Sequence, residues 1–107
     1  MTRDDFLVRS TGDLVALCAA SPSDPHHTAA VNFCQGFAVG VFRVLQAENA
    51  ADPAHRLFCP PNPVPSRNAA IAAFVRWAEA GPSRAALAAH DGIAMFLEQR
   101  FPCGQSR

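Results

Sequence analysis

Apolar residues recur every three or four positions through most of the chain, a spacing that predicts α-helices. A first helix is predicted over residues 13–20, capped by Ser10 or Thr11. A second is predicted to start at Asp24, the N-cap, with Pro25 in its first turn, and to continue to about Asn49. Because alternating β-branched runs joined by hairpin turns do not occur, the predicted fold class is all-α.

The second predicted helix carries the longest apolar stripe, and we therefore expect it to be the central and most buried helix. Gly36 and Gly40 lie one turn apart within it, and two missing side chains on one face would let another backbone come close. Two interpretations follow. We favour tight packing inside the monomer, and the alternative is the seam of a homodimer.

A proline-rich linker over residues 50–65 separates these helices from two more, which makes a compact bundle of about four helices. Ser66 is predicted to cap a third helix over residues 67–80, which Gly81 and Pro82 end. A fourth helix is predicted from Arg84 to about Arg100, with Ser83 as its cap. The step His90-Asp91-Gly92 in its middle is unfavourable for a helix.

Length and composition indicate one domain, residues 1–107, with its core over about residues 6–103. Half of the chain is hydrophobic, yet many of these residues are alanines, so covalent cross-links should contribute to stability. Nine basic and nine acidic residues cancel, so we expect neither nucleic acid nor anionic lipid as a partner. Arg43, Glu48 and Asp52 interrupt the longest apolar run, and no membrane span is predicted.

Four cysteines without a CxxC motif favour a disulfide framework over a zinc site or a redox dithiol. Cys18 and Cys34 are 16 positions apart across one tight turn, so antiparallel helices could pair them. That pairing leaves Cys59 with Cys103. Disulfides imply an oxidising compartment, and since the charged start has no apolar signal core, we expect that a signal peptide was removed.

Candidates for chemistry are few, because no nucleophile, base and orienting group share a recognisable spacing. His90 and Asp91 are helix neighbours that point about 100° apart, so an exposed helix face explains both. His26 and His27 lack the third and fourth ligands that zinc requires. The sequence therefore predicts no catalytic residue, no metal site and no cofactor, and the protein is not expected to be an enzyme.

Several short motifs occur in a familiar order along nearly the whole chain. They are Phe6, Gly12-Asp13-Leu14 to Leu17-Cys18, Cys34-Gln35-Gly36-Phe37 with Gly40, Phe58-Cys59-Pro60-Pro61 and Phe101-Pro102-Cys103. In this ordered set the chain resembles the Rap/Tai family of immunity proteins. Departures from that family include Phe37 and Asn68, where Tyr and Gln are usual, and the density of prolines after Cys59.

The resemblance implies a small secreted helical protein of the periplasm of Gram-negative bacteria. Such proteins bind and inhibit peptidoglycan amidase effectors delivered by type VI secretion. Inhibition by occlusion of the active site would need no reactive residue on this chain. A candidate plug is the segment Pro60-Pro61-Asn62-Pro63, where prolines lower the ordering cost of binding, although from the sequence we favour a plain surface linker. Trp77 is a second candidate contact, or a cover for the edge of the core.

A different class of function is a periplasmic binding module or a module akin to small acid-stress chaperones, which also combine few helices with disulfides. Such a module would expose apolar surface on acidification, whereas a rigid inhibitor would not. Sequence leaves open which toxin is recognised and whether the protein is a homodimer.

Overall fold

Four α-helices form the fold: α1 (Thr11–Cys18), α2 (His27–Ala51), α3 (Arg67–Ala80) and α4 (Ala89–Arg100). Short 3-10 turns lie at Arg3–Leu7, Pro53–His55 and Pro82–Ala86. This computed structural model describes residues 1–104, and no strand occurs among them. The predicted all-α bundle of about four helices with two disulfides is confirmed.

Serine caps set the starts of α1 and α3 as their local sequences predict. The Ser10 hydroxyl accepts a hydrogen bond from the Asp13 amide at 3.1 Å, and the Ser66 hydroxyl accepts one from the Ala69 amide at 3.1 Å. The start of α2 is later than predicted. Asp24 accepts from the His26 amide at 2.8 Å, so its carboxylate closes a turn that precedes the helix.

The predicted fourth helix is divided by a break at Leu87 and Ala88. The 3-10 turn Pro82–Ala86 ends there, both residues adopt extended backbone angles, and α4 begins only at Ala89. The break is explained by a tertiary contact, because the Thr11 amide donates to the Leu87 carbonyl at 2.7 Å. Thr11 Oγ1 also donates to the Ala88 carbonyl at 3.3 Å. A continuous helix would aim these carbonyls along its own axis, away from α1.

Helices α1 and α4 approach each other closely at Gly92. Gly92 is buried against Thr11, which is itself 0% exposed, and a Cβ atom on Gly92 would overlap Thr11 Oγ1. Thr11 is the buried polar residue of the described chain, and its hydroxyl is satisfied by the Ala88 carbonyl. Gly92, which looked unfavourable in the sequence, is therefore the residue that this helix crossing requires.

The core lies around α1 and α4 rather than around α2, so the prediction that the second helix is the most buried is wrong. Only Ala30 and Cys34 of its 25 residues are buried. Its C-terminal half leaves apolar side chains on the surface, and Val44 is 60% exposed. Helix α4, half as long, buries five residues: Ala89, Gly92, Ile93, Phe96 and Leu97. Periodicity shows that a helix has an apolar face, but not how much of that face a neighbour covers.

Helix α2 is also long and apolar enough to cross a membrane, as judged by length and composition alone. Its most apolar window has a mean hydropathy of 1.3, and 11% of that window is buried. A single helix that meets this test does not establish a membrane span, so the expectation that the chain has none stays a prediction. In the structure, α2 packs against each of the other three helices.

Both disulfides form with the predicted pairing, Cys18 to Cys34 and Cys59 to Cys103. Their Cα atoms lie 5.1 Å and 4.8 Å apart, within the usual range for a disulfide. The first bond joins the end of α1 to α2. The second joins the linker to the segment after α4, where the Cys59 amide also donates to the Phe101 carbonyl at 2.8 Å.

Substitution of glycine by alanine should have opposite effects in α4 and α2. Gly92→Ala is expected to lower the free energy of unfolding by about 1–3 kcal/mol, because the new methyl group overlaps Thr11. Gly36→Ala is the matched control, since no atom of another helix lies within 4 Å of its Cβ position. It should raise that free energy by about 0.4–1 kcal/mol through the unfolded state. Urea denaturation measures both, and a stabilised Gly92→Ala variant would contradict the crossing.

Removal of the second disulfide should be costly because it closes the longer loop, 44 positions against 16. The double variant Cys59→Ala with Cys103→Ala is expected to lower the free energy of unfolding by about 4 kcal/mol, the loop-closure entropy of that bond. The double variant Cys18→Ala with Cys34→Ala should lower it by about 3 kcal/mol. Guanidinium denaturation of the two variants beside the wild type gives these values. An unchanged midpoint for the Cys59 and Cys103 variant would show that the bond contributes no stability.

Candidate partner-binding surface

The proline segment, residues 60–65, lies on the surface between α2 and α3. Pro61, Asn62, Pro63 and Val64 are exposed, and Val64 is 60% exposed. The Asn62–Pro63 peptide bond is cis. The segment runs from Cys59, which is disulfide-bonded, to Ser66, which caps α3. A covalent bond at one end and a helix start at the other therefore hold an exposed stretch of four residues.

Asn49 anchors the linker just before the proline segment. Its amide Nδ2 donates to the Phe58 carbonyl at 2.8 Å, and its Oδ1 accepts from the Leu57 amide at 2.7 Å. One side chain near the end of α2 thus pairs two backbone groups of the linker, as a neighbouring strand would. Sequence reasoning missed this role, since an asparagine near a helix end has many possible partners.

Phe58 fixes the same region from the apolar side. Its ring is 1% exposed and packs on Phe42 of α2 with ring centroids 5.6 Å apart. Burial of such a ring is worth about 1.5–3 kcal/mol. The base of the proline segment is therefore held by a buried ring, an asparagine clamp and a disulfide, while its tip is exposed.

Trp77, the other predicted contact, is engaged within the molecule. Its Nε1 donates to Gln99 Oε1 at 2.8 Å, and the Arg84 guanidinium lies 4.4 Å from its ring centroid. The ring also packs edge-on against Phe96 at 5.9 Å. These contacts match a side chain that covers the edge of the core. The role of Trp77 in partner binding stays a prediction, and its neighbours differ from those of the proline segment.

Gly36 and Gly40 lie on an exposed groove between α2 and α4, which we term the glycine groove. No atom of another helix lies within 4 Å of a Cβ at either position, so the tight packing expected inside the monomer does not occur. The groove has a volume of about 610 Å³ and is lined by Gly36, Phe37, Gly40, Val41, Val44, Leu45, Glu48, His90, Asp91 and Ala94. Its titratable residues are two acids and a histidine. A homodimer seam at this place stays a prediction.

The candidate catalytic and metal residues lie apart from one another on the surface. His90 and Asp91 are both exposed, with 3.5 Å between Nε2 and Oδ1, as expected for an exposed helix face. His27 Nδ1 lies 3.0 Å from the Ala20 carbonyl, which occupies that ring nitrogen. Within residues 1–104, no three His, Cys, Asp or Glu side chains come together as metal ligands would.

Comparison with family models agrees with the resemblance inferred from the cysteines. Residues 10–103 match the model described as Rap1a immunity proteins. Neither the curated proteins nor the solved structures give a match. The family match spans α1 to α4 and both disulfides, as well as the anchored proline segment. The chain therefore belongs to the Rap1a immunity protein family, which implies binding of a secreted effector protein in a non-catalytic role.

Proposed function

We propose that this protein is a periplasmic immunity protein that inhibits a peptidoglycan amidase effector of type VI secretion by blocking its active-site cleft. Family membership supports the immunity role. Two disulfides are compatible with an extracytoplasmic location, since such bonds persist in oxidising compartments. An amidase acts on peptidoglycan, and an inhibitor in the periplasm would meet the effector where its substrate is.

The proposal of occlusion depends on one observation, the anchored base and exposed tip of the proline segment. Phe58, Cys59 and Asn49 hold the base, as described above. Pro61, Asn62 and Pro63 are exposed at the tip. A segment with this construction can enter a cleft without rearrangement of the helices, and a cleft that contains it excludes peptidoglycan.

Rigidity also favours tight binding. Ordering a flexible loop at an interface costs about 0.5–1.5 kcal/mol for each immobilised side chain, which reduces affinity. Proline has a fixed φ angle, and Pro61 and Pro63 on either side of Asn62 limit the conformations that the free segment visits. Most of the ordering cost is thus met when the protein itself folds, and contacts in the cleft contribute to affinity with less loss.

The purified oxidised protein should inhibit peptidoglycan hydrolysis by a type VI amidase effector at a one-to-one ratio. The assay follows release of soluble fragments from purified sacculi as the protein is titrated into each of a panel of such effectors. Boiled and reduced protein is the control, since its disulfides are broken. If no effector is bound or inhibited, the amidase assignment is wrong.

A bulky residue at the tip should separate occlusion from simple binding elsewhere. Asn62→Trp is expected to weaken inhibition by more than about tenfold, because an added indole would not enter a cleft shaped for asparagine. Ala54→Trp is the matched control, an exposed position in the neighbouring 3-10 turn. Both variants should unfold at the wild-type urea concentration. Equal inhibition by the two would place the blocking surface outside the proline segment.

A further inference from the structure

Two hollows lie along the seam between α2 and α3, on the side of α2 away from the glycine groove. The first, of about 390 Å³, is lined by Ala38, Val39, Phe42, Arg43, Val64, Pro65, Arg67, Ala70 and Ile71. The second, of about 450 Å³, is lined by Cys18, Ala19, Val31, Cys34, Gln35, Asn68, Ile71, Ala72, Val75 and Arg76. Ile71 belongs to both. We term the two hollows together the basic groove.

The charges of the basic groove are all of one sign. Arg43, Arg67 and Arg76 line it, and no aspartate or glutamate does. Among residues 1–104, no carboxylate lies within 4 Å of any of these three guanidinium groups. Arg43 donates to Gln46 Oε1 at 2.9 Å, which is a neutral partner. Because the glycine groove carries Glu48 and Asp91, the zero net charge of the chain conceals two faces of opposite sign.

The shape of the basic groove fits side chains rather than a flat surface. Gln35 Nε2 donates to Asn68 Oδ1 at 3.1 Å, a bridge that joins α2 and α3 across the seam. Along α3 the residues that line the two hollows are displaced by about one turn, or ~5 Å, and along α2 by about two turns, or ~11 Å. Apolar side chains four to seven positions apart on one face of a helix span this range of distances. A groove of this kind is typical of helix recognition.

We propose that the basic groove binds an amphipathic helix of the effector, with two apolar side chains that fill the hollows and flanking carboxylates that pair with Arg43, Arg67 and Arg76. The identity of the partner rests on the proposed function. The first hollow is continuous with the proline segment, because Val64 and Pro65 line it. One partner in contact with the tip of that segment can therefore reach the groove as well.

Other occupants fit the groove less well. A lipid surface would pair with the arginines but is too flat to fill two hollows of this size. A second copy of the chain would offer its acids Glu48 and Asp91 from the glycine groove, which is itself concave. Two concave faces leave a gap between them, and an unfilled gap loses the packing contacts that a convex helix supplies.

The test uses the full-length oxidised protein and a labelled helical peptide of about 18 residues. The peptide has two leucines four positions apart with glutamates beside them, and its control has lysine in place of each glutamate. Fluorescence anisotropy should show binding of the glutamate peptide, weaker binding as salt rises, and no binding of the lysine peptide. If both peptides bind equally, or neither binds, the proposal is wrong.

Charge reversal identifies the site. Arg67→Glu with Arg76→Glu should raise the Kd for the peptide, and for any effector that the protein inhibits, by about tenfold or more. Both residues are exposed, and Arg67 is at the first position of α3, where a carboxylate favours the helix. Arg3→Glu with Arg9→Glu is the matched control, with the same change of net charge at exposed positions outside the groove.

A filled hollow gives a second measurement that does not depend on charge. Ala72 is exposed and lines the second hollow, so Ala72→Trp should fill it and weaken binding of the peptide, whereas Ala80→Trp at the end of α3 should not. Peptide binding that resists both changes overturns the proposal. The variants are also tested for self-association and for binding to anionic vesicles. If they lose either of these and still bind the peptide, the proposal is wrong. Failure to inhibit any amidase, with peptide binding as expected, would refute only the proposed function.

Discussion

The contact between Thr11 and Gly92 is the constraint on which the arrangement of the other helices depends. Thr11 begins α1, and α1, although only eight residues long, contacts each of the other three helices. Leu14 and Leu17 of α1 are 0% exposed, so the shortest helix is the centre of the core. Its two hydrogen bonds to Leu87 and Ala88 also end the preceding 3-10 turn and set where α4 begins. Because interiors are close-packed, a larger residue at position 92 would move α4 as a unit.

Local signals in the sequence were sufficient for the helices that begin with a serine cap. Ser10 and Ser66 both bond the amide three residues on, and α3 has the bounds that were predicted. The errors arose where a distant residue intervenes. No local rule predicts that the Thr11 amide donates a hydrogen bond to the Leu87 carbonyl. Nor does one predict that Gly92 packs against a neighbouring helix while Gly36 is exposed. A glycine in the sequence shows only that a side chain is missing. Whether another residue fills the space of that side chain depends on how the helices pack.

The candidate site likewise has features that the sequence predicted and features that it did not. Prolines after Cys59 predicted an exposed, non-helical segment, because each proline removes a backbone donor and fixes φ, and the structure has one. One of its anchors, the Cys59 disulfide, was predicted, but the Asn49 clamp was not, since Asn49 acts through contacts eight and nine residues away. The separation of arginines and acids onto two grooves was not predicted either. Arginines on α2 and α3 become neighbours of one groove only when the helices pack, and a net charge of zero gives no sign of it.

The connectivity of the two disulfides bears on how the chain matures. Four cysteines can pair in three ways, and here the first joins the second and the third joins the fourth in chain order, Cys18 with Cys34 and Cys59 with Cys103. When a chain emerges into an oxidising compartment from its N-terminus, the first two thiols are present before the third. An oxidant that joins thiols in order of arrival therefore produces the native bonds directly, and no isomerase is needed to exchange them.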